Sequence, residues 1–386
     1  MMPSEPFDLL IRAGRVVCPA TGLNGPGAVA VRGGLIAAVG SDVEGDARRV
    51  LDFPDHLLLS GLIDLHAHPA NSGSVFGIDP DRRMLPRGVT TVLSQGDAGA
   101  SNWREFVAHT IEPSTTRVRL AINLSRVGES SDEPCFQRLE DADVDACVAA
   151  IDQCRDHVWG IAVTASRNSC GPSDPREIVR RALLAAEQTG LPLLYGMRQP
   201  GDWPFEQQMR QLRPGDVVTY CFRRQPYGIV QSGRVDPAVR EARERGVLFD
   251  VGHGRASLDF EAAETALREG FPPDTISTDL HRRHIDHAIP HDLPLVMSKL
   301  RAAGMPEPDV LAAVTATPAR ILNLENQTGA LTPGHCADLT ILKWQAAAAP
   351  LEDCHNATRP AGRWTPEAVI RGGRLESQNG GADKQV

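Results

Sequence analysis

Between residues 57 and 320, short apolar runs of β type alternate with segments whose apolar positions recur at helical spacing. The strand candidates are LLLSGLIDLH (57–66), VTTVLS (89–94), RVRLAINL (117–124), VWGIAVTA (158–165), LPLLY (191–195), DVVTYCF (216–222), GVLFDVG (246–252) and DTISTDL (274–280). The helix candidates 142–154, 175–190, 236–246 and 259–270 lie between them, and the last three end in a glycine that suits a helix C-terminus. Near-continuous apolar strands alternating with amphipathic helices predict parallel strands covered by helices. Eight such units in about 260 residues predict an α/β protein with a closed (β/α)8 TIM barrel. An open doubly wound sheet would use fewer units and a phosphate-binding glycine loop, and none follows the first strand.

The chain ends follow a different pattern. FDLLIRAGRVVC (7–18), GAVAVRGGLIAAVG (27–40), RVLDFPD (49–55), GALTPGHCADLTILKW (329–344) and AVIRGGRLES (368–377) are short strands joined by glycine turns. They predict one small β-sandwich built from 1–55 and 325–378, beside a barrel spanning 56–324, with 379–386 a disordered tail.

Composition narrows the function classes. The 386-residue chain is 41% apolar and 23% charged, as an ordinary globular protein is. A net charge of −9 excludes a general nucleic-acid binder. No run approaches the roughly 18 apolar residues of a membrane span. The start, MMPSEPFDLL, carries acid where a secretory signal needs a basic and then an apolar segment, so a cytoplasmic location is expected. Eight scattered cysteines without a C-x-x-C pair predict reduced, structural thiols.

The candidate chemistry sits at strand ends. GLIDLHAHPA places His66 and His68 two apart at the end of the first barrel strand, where both imidazoles face one side and can share a metal ion. Asp279, in DTISTDLH, ends the eighth strand, which neighbours the first in a closed barrel. A carboxylate there can bind a metal or take a proton from water, although capping the following helix is the bland alternative.

GLIDLHAH, the ADLTIL segment and the split end domain resemble the amidohydrolase superfamily, which includes dihydroorotase and the adenine deaminases. FDVGHGRASLDFEAAETALREGFPPDTISTDLHRR and DLPLVMSKLRAAGM are similar to its dihydroorotase-like amidohydrolase/deacetylase branch, some members of which cleave acyl esters or amides. The resemblance implies a binuclear metal site with a carboxylated lysine on strand four and histidines ending strands five and six. Here those positions read Ala162, Tyr195–Gly196 and Tyr220. His66, His68 and Asp279 remain, a two-histidine, one-carboxylate set that suits at most one divalent metal, zinc first, with no carboxylated lysine. The superfamily also leads us to expect a homo-oligomer.

Other groups near the mouth are nominated from position. Tyr220 can donate a proton or stabilise an oxyanion, and His253 and His281 can act in catalysis or hold structure. Asp97 and the arginines Arg167, Arg198, Arg223 and Arg282 are substrate-binding candidates, in a rim that also holds Arg224 and Arg283. In an acidic protein that rim suggests a small anionic substrate. The leading expectation is hydrolysis of a small amide, ester or cyclic amide. A metal-independent lyase, isomerase or decarboxylase, and a non-catalytic ligand-binding descendant, are the alternatives.

Overall fold

The structure, a computed structural model, describes residues 5–285, 291–360 and 362–378. The expectation for 379–386 lies outside these residues. Seven parallel barrel strands follow one another in order: Leu62–Ala67, Val89–Gln95, Arg117–Asn123, Val158–Thr164, Leu193–Gly196, Val217–Thr219 and Leu248–Phe249. Helices such as Val144–Gln153, Pro175–Thr189, Pro237–Glu244 and Phe260–Arg268 cover them. Strand alternation separates two cores. Val92, Ile122, Ile161 and Val218 join the helix-facing layer, whereas Leu93, Ala121, Ala162 and Val217 cluster with Ala319, Leu322 and Leu324.

The eighth position is held differently. Residues 274–280 form no continuous ladder; isolated parallel bridges join Thr275 to Asp250 and Leu280 to Ala67, closing the barrel on both sides. Backbone bonds also hold it, from the Val251, His253 and Gly254 N–H groups to Thr275, Ser277 and Thr278 O on one side, and from Asp279 N–H to His66 O and His68 N–H to Leu280 O on the other. Side chains add more. Asp250, fully buried, accepts hydrogen bonds from Thr219, Thr275 and Ser277 at 2.6–2.8 Å. Asp64 accepts from the Thr278 backbone N–H at 3.0 Å and from its hydroxyl at 2.5 Å. Two buried aspartates therefore reinforce with side-chain bonds the backbone bonds that tie strand eight to its neighbours.

The chain ends share one continuous seven-stranded sheet, in the order 374–378, 363–371, 339–345, 50–60, 9–18, 23–32 and 35–40. All pairs are antiparallel except 9–18 with 50–60. The strand Val50–Ser60 leads directly into the first barrel strand, so the start of the strand bearing His66 and His68 is anchored by the end sheet. No helix among the described residues is long and apolar enough to cross a membrane.

Removing Asp64 leaves two donors of Thr278 buried without an acceptor. Asp64→Ala is expected to lower unfolding free energy by about 1–3 kcal/mol in urea titrations. The double variant with Thr278→Val should lose less than the sum of the two single losses; strict additivity would contradict the coupling.

Candidate metal centre and active site

His66 and His68 leave strand one with their Nε2 atoms converging on one oxygen. Asp279 Oδ1 lies 3.4 Å from His66 Nε2 and 3.1 Å from His68 Nε2. All three residues are buried. The far side of each ring is also held. His66 Nδ1 lies 2.8 Å from Thr219 Oγ1, and the Thr219 hydroxyl donates to Asp250 Oδ2 at 2.8 Å. His68 Nδ1 lies 3.1 Å from Asp97 Oδ1, which also accepts from the Ser74 hydroxyl, while Asp97 Oδ2 accepts from Ser94. With Nδ1 donating in both rings, both Nε2 atoms face one carboxylate oxygen, and a proton or a metal ion has to lie between them. Such an arrangement calls for a cation.

The spacing fits a metal ion. A tetrahedral centre with arms of about 2.0–2.1 Å has edges of about 3.3–3.4 Å, close to the observed separations. The electrostatics point the same way. Burial opposes a charge on His66, yet the carboxylates of Asp279 and Asp250 outweigh it and push its pKa up to about 9. Burial likewise opposes charge on His68, and Asp97, Glu129 and Asp279 raise it well above the ordinary imidazole value. Asp279 is held well below the usual carboxylate range by the two imidazoles, against the penalty of burial.

Strands four to six contribute no ligand to this set. Ala162 is buried in the inner apolar cluster. The Tyr195 hydroxyl donates to Gln208 Oε1 at 2.7 Å on the covering helix Phe205–Gln211, away from the barrel interior. A Cβ at Gly196 would lie 2.7 Å from Thr164 Cγ2, so no larger side chain fits there without moving Thr164. Tyr220 does reach the site. Its ring meets His66 edge-on at a centroid distance of 5.0 Å, and its hydroxyl lies 3.4 Å from His66 Nε2. Burial, with the charge of Asp279, raises its pKa well above the ordinary phenol value, so it remains a proton donor. Tyr220 and Asp279 both adopt left-handed backbone, at φ 67° and φ 50°. Such residues cost about 1–3 kcal/mol each and are retained where the surroundings over-determine them.

The other nominated residues divide. His68, Tyr220, Asp279 and His281 line one mouth cavity of about 520 Å³, with Arg167 and Arg223. His281 Nδ1 accepts from the Arg283 backbone N–H, and burial lowers its pKa to about 3, so it is neutral. Asp97 is 1% exposed and fully engaged with Ser74, Ser94 and His68, which makes it a support for His68 and removes it from substrate contact. Arg167 and Arg198 share the carboxylate of Asp202. Arg282 is exposed and does not line the cavity; Arg283 does, paired with Asp132 at 3.3 Å. Arg223 lies over the Tyr220 ring at 4.2 Å and donates from Nε to Ser257 Oγ. Its Nη atoms have no acceptor among the described residues. His253 turns away and lines a different cavity.

Sequence reasoning missed Glu129, in the loop after strand three. Its Oε2 is buried without a hydrogen-bond partner and lies 3.1 Å from His68 Nδ1. Burial raises its pKa, with His68 pulling the other way. His68, Asp97 and Glu129 form a second group of potential ligands, but His68 Nδ1 cannot bind a cation while donating to Asp97. The only sequence signal was an acid shortly after a strand end. Thr219 and Asp250, the supports of His66, were likewise missed, because their role depends on contacts across strands.

Gly254, at φ 49°, sits against Asp279, and a Cβ there would overlap Asp279 Oδ2. Gly254→Ala is expected to displace that carboxylate and to lower bound metal, measured by elemental analysis of dialysed protein, well below the wild-type content. Unchanged metal content would contradict the assignment of Asp279 as a ligand.

The family model described as Amidohydrolase family matches residues 234–374. A deacetylase of Enterococcus faecalis is 32% identical over 96% of this chain and 99% of its own length. The crystal structure of an adenine deaminase superposes with a TM-score of 0.87 at 30% identity, covering 97% of this chain and all of that one. A dihydroorotase structure gives 0.82 at 29% identity, over 95% of this chain and 98% of its own. With its barrel and strand-end histidines, the chain belongs to the amidohydrolase family and is a hydrolase of that family.

Proposed function

We propose that this hydrolase cleaves the amide or ester bond of a small, carboxylate-bearing acyl substrate, using one divalent cation, zinc first, held by His66, His68 and Asp279. The convergence of two Nε2 atoms on Asp279 Oδ1 at 3.1–3.4 Å carries this reading. An acyl substrate is supported by the deacetylase relative, and the nitrogen and oxygen donor set suits zinc. When bound, the cation supplies Lewis acidity that acidifies water and polarises a carbonyl.

The chain's own groups account for the rest. Asp279 takes a proton from the attacking water, being held as a carboxylate by the imidazoles beside it, and returns that proton to the leaving nitrogen or oxygen as the acyl C–N or C–O bond breaks. The protonated Tyr220 hydroxyl donates to the carbonyl oxygen as negative charge develops there. The Thr219–Asp250 and Asp97 bonds fix the tautomers of His66 and His68, so neither ring turns away during turnover. Arg223 supplies the guanidinium for the substrate carboxylate, because Arg167 and Arg283 in the same cavity already have carboxylate partners.

Activity measured on a panel of N-acetyl amino acids and acyl esters tests this reading. Hydrolysis should cease on chelation and return with zinc, and His66→Ala should abolish both zinc binding and turnover. Tyr220→Phe should lower kcat on the order of 10²-fold, as loss of one oxyanion donor does. Arg223→Met should raise KM for acids far more than for their neutral amides. Full activity after chelation, or an unaffected Tyr220→Phe enzyme, would overturn the proposal.

A further inference from the structure

A second cavity, of about 470 Å³, opens between the end of strand seven, the helix Leu293–Ala302 and the segment 349–354. It shares no lining residue with the mouth cavity. Its inner wall is Lys299 against His253. The His253 Nδ1–H donates to Gly254 O at 2.7 Å, which leaves Nε2 as an acceptor, and Lys299 Nζ donates to it at 2.8 Å. Lys299 is only 6% exposed, yet it forms no ion pair with any described carboxylate, and two of its three N–H bonds lack a described acceptor.

The neighbouring acids are committed elsewhere. Asp353 accepts from the backbone N–H groups of Phe260, His355 and Ala357. Asp292 caps its helix at Leu295 N and pairs with Arg87. Glu352 stands exposed at the rim. Arg363 also lines the cavity, and its guanidinium has no carboxylate partner among the described residues. Leu295, Pro350 and Leu351 provide an apolar face in the same cavity.

A buried lysine amine with no counter-ion, and a guanidinium with no carboxylate partner, among the described residues carry a desolvation penalty that an anion would remove. The volume lies within the range of small-molecule sites. We infer that this cavity is a second binding site, for a small organic anion whose carboxylate pairs with Lys299 and Arg363 and whose apolar body lies against Leu295 and Leu351. It is separate from the hydrolytic centre, and the inference holds whatever bond that centre cleaves.

Calorimetric titration of the full chain with hexanoate, and with neutral hexanamide as control, tests this. One hexanoate should bind per chain at the second site, and hexanamide should bind at least tenfold more weakly. Lys299→Gln and, independently, Arg363→Gln should each weaken hexanoate at least tenfold, while His66→Ala leaves it unchanged. Arg363→Gln keeps the test decisive if Lys299→Gln fails to fold. Equal binding of the amide, binding lost in His66→Ala but kept in Arg363→Gln, or no binding at all would overturn the inference.

Discussion

Everything at the barrel mouth depends on two imidazole nitrogens and a carboxylate oxygen being held face to face. With no cation there, the raised imidazole pKa values put protons between the two rings and Asp279 Oδ1, at 3.1–3.4 Å. Each histidine is also fastened from behind: His66 through Thr219 to Asp250, and His68 to Asp97. The fold thus uses buried polar groups to hold a positive charge among three buried residues, a place suited to a proton or a metal ion. That is the reverse of what stability alone would favour, since buried carboxylates stabilise only when fully bonded.

One of the aspartates behind the histidines, Asp250, also helps to close the barrel, and Asp64 joins it there. Asp250 binds Thr275 and Ser277 of the eighth position while supporting Thr219, and Asp64 binds Thr278 one residue before Asp279. Site geometry and barrel closure are therefore one network. This accounts for the left-handed backbone at Tyr220 and Asp279: the residue before each, Thr219 or Thr278, is pinned by a buried aspartate, so the strain is tolerated where it aims a functional group inward.

Much of the fold was legible because strand and helix periods differ. Apolar runs at 89–94, 117–124 and 158–165 became Val89–Gln95, Arg117–Asn123 and Val158–Thr164, and Gly190, Gly246 and Gly270 take positive φ just past their helices. The run 57–66 hid a boundary, since its first four residues finish the end-sheet strand Val50–Ser60. Strands six and seven shrank to three and two residues, and the eighth is an irregular segment whose backbone bonds to both neighbours are supplemented by the side chains of Asp64 and Asp250. Periodicity carries no trace of such bonds. At the site, H-x-H and Asp279 announce themselves by position. Glu129 and the turning away of His253 do not, because loop path and a lysine forty-six residues on decide them.

The positions that would complete a second metal set on strands four to six are filled by packing: Ala162 by its apolar cluster, Gly196 by Thr164, and Tyr195 by a bond to the helix layer. Tyr220 stands beside His66 with a hydroxyl instead of a ligand nitrogen. The proposed chemistry therefore depends on a single two-histidine, one-carboxylate centre. X-ray absorption at the zinc edge of the zinc-loaded protein tests it most directly. The account predicts nitrogen and oxygen neighbours at about 2.0–2.1 Å, with two imidazoles. A metal–metal vector near 3.5–4 Å, the mark of a two-metal site, would contradict it.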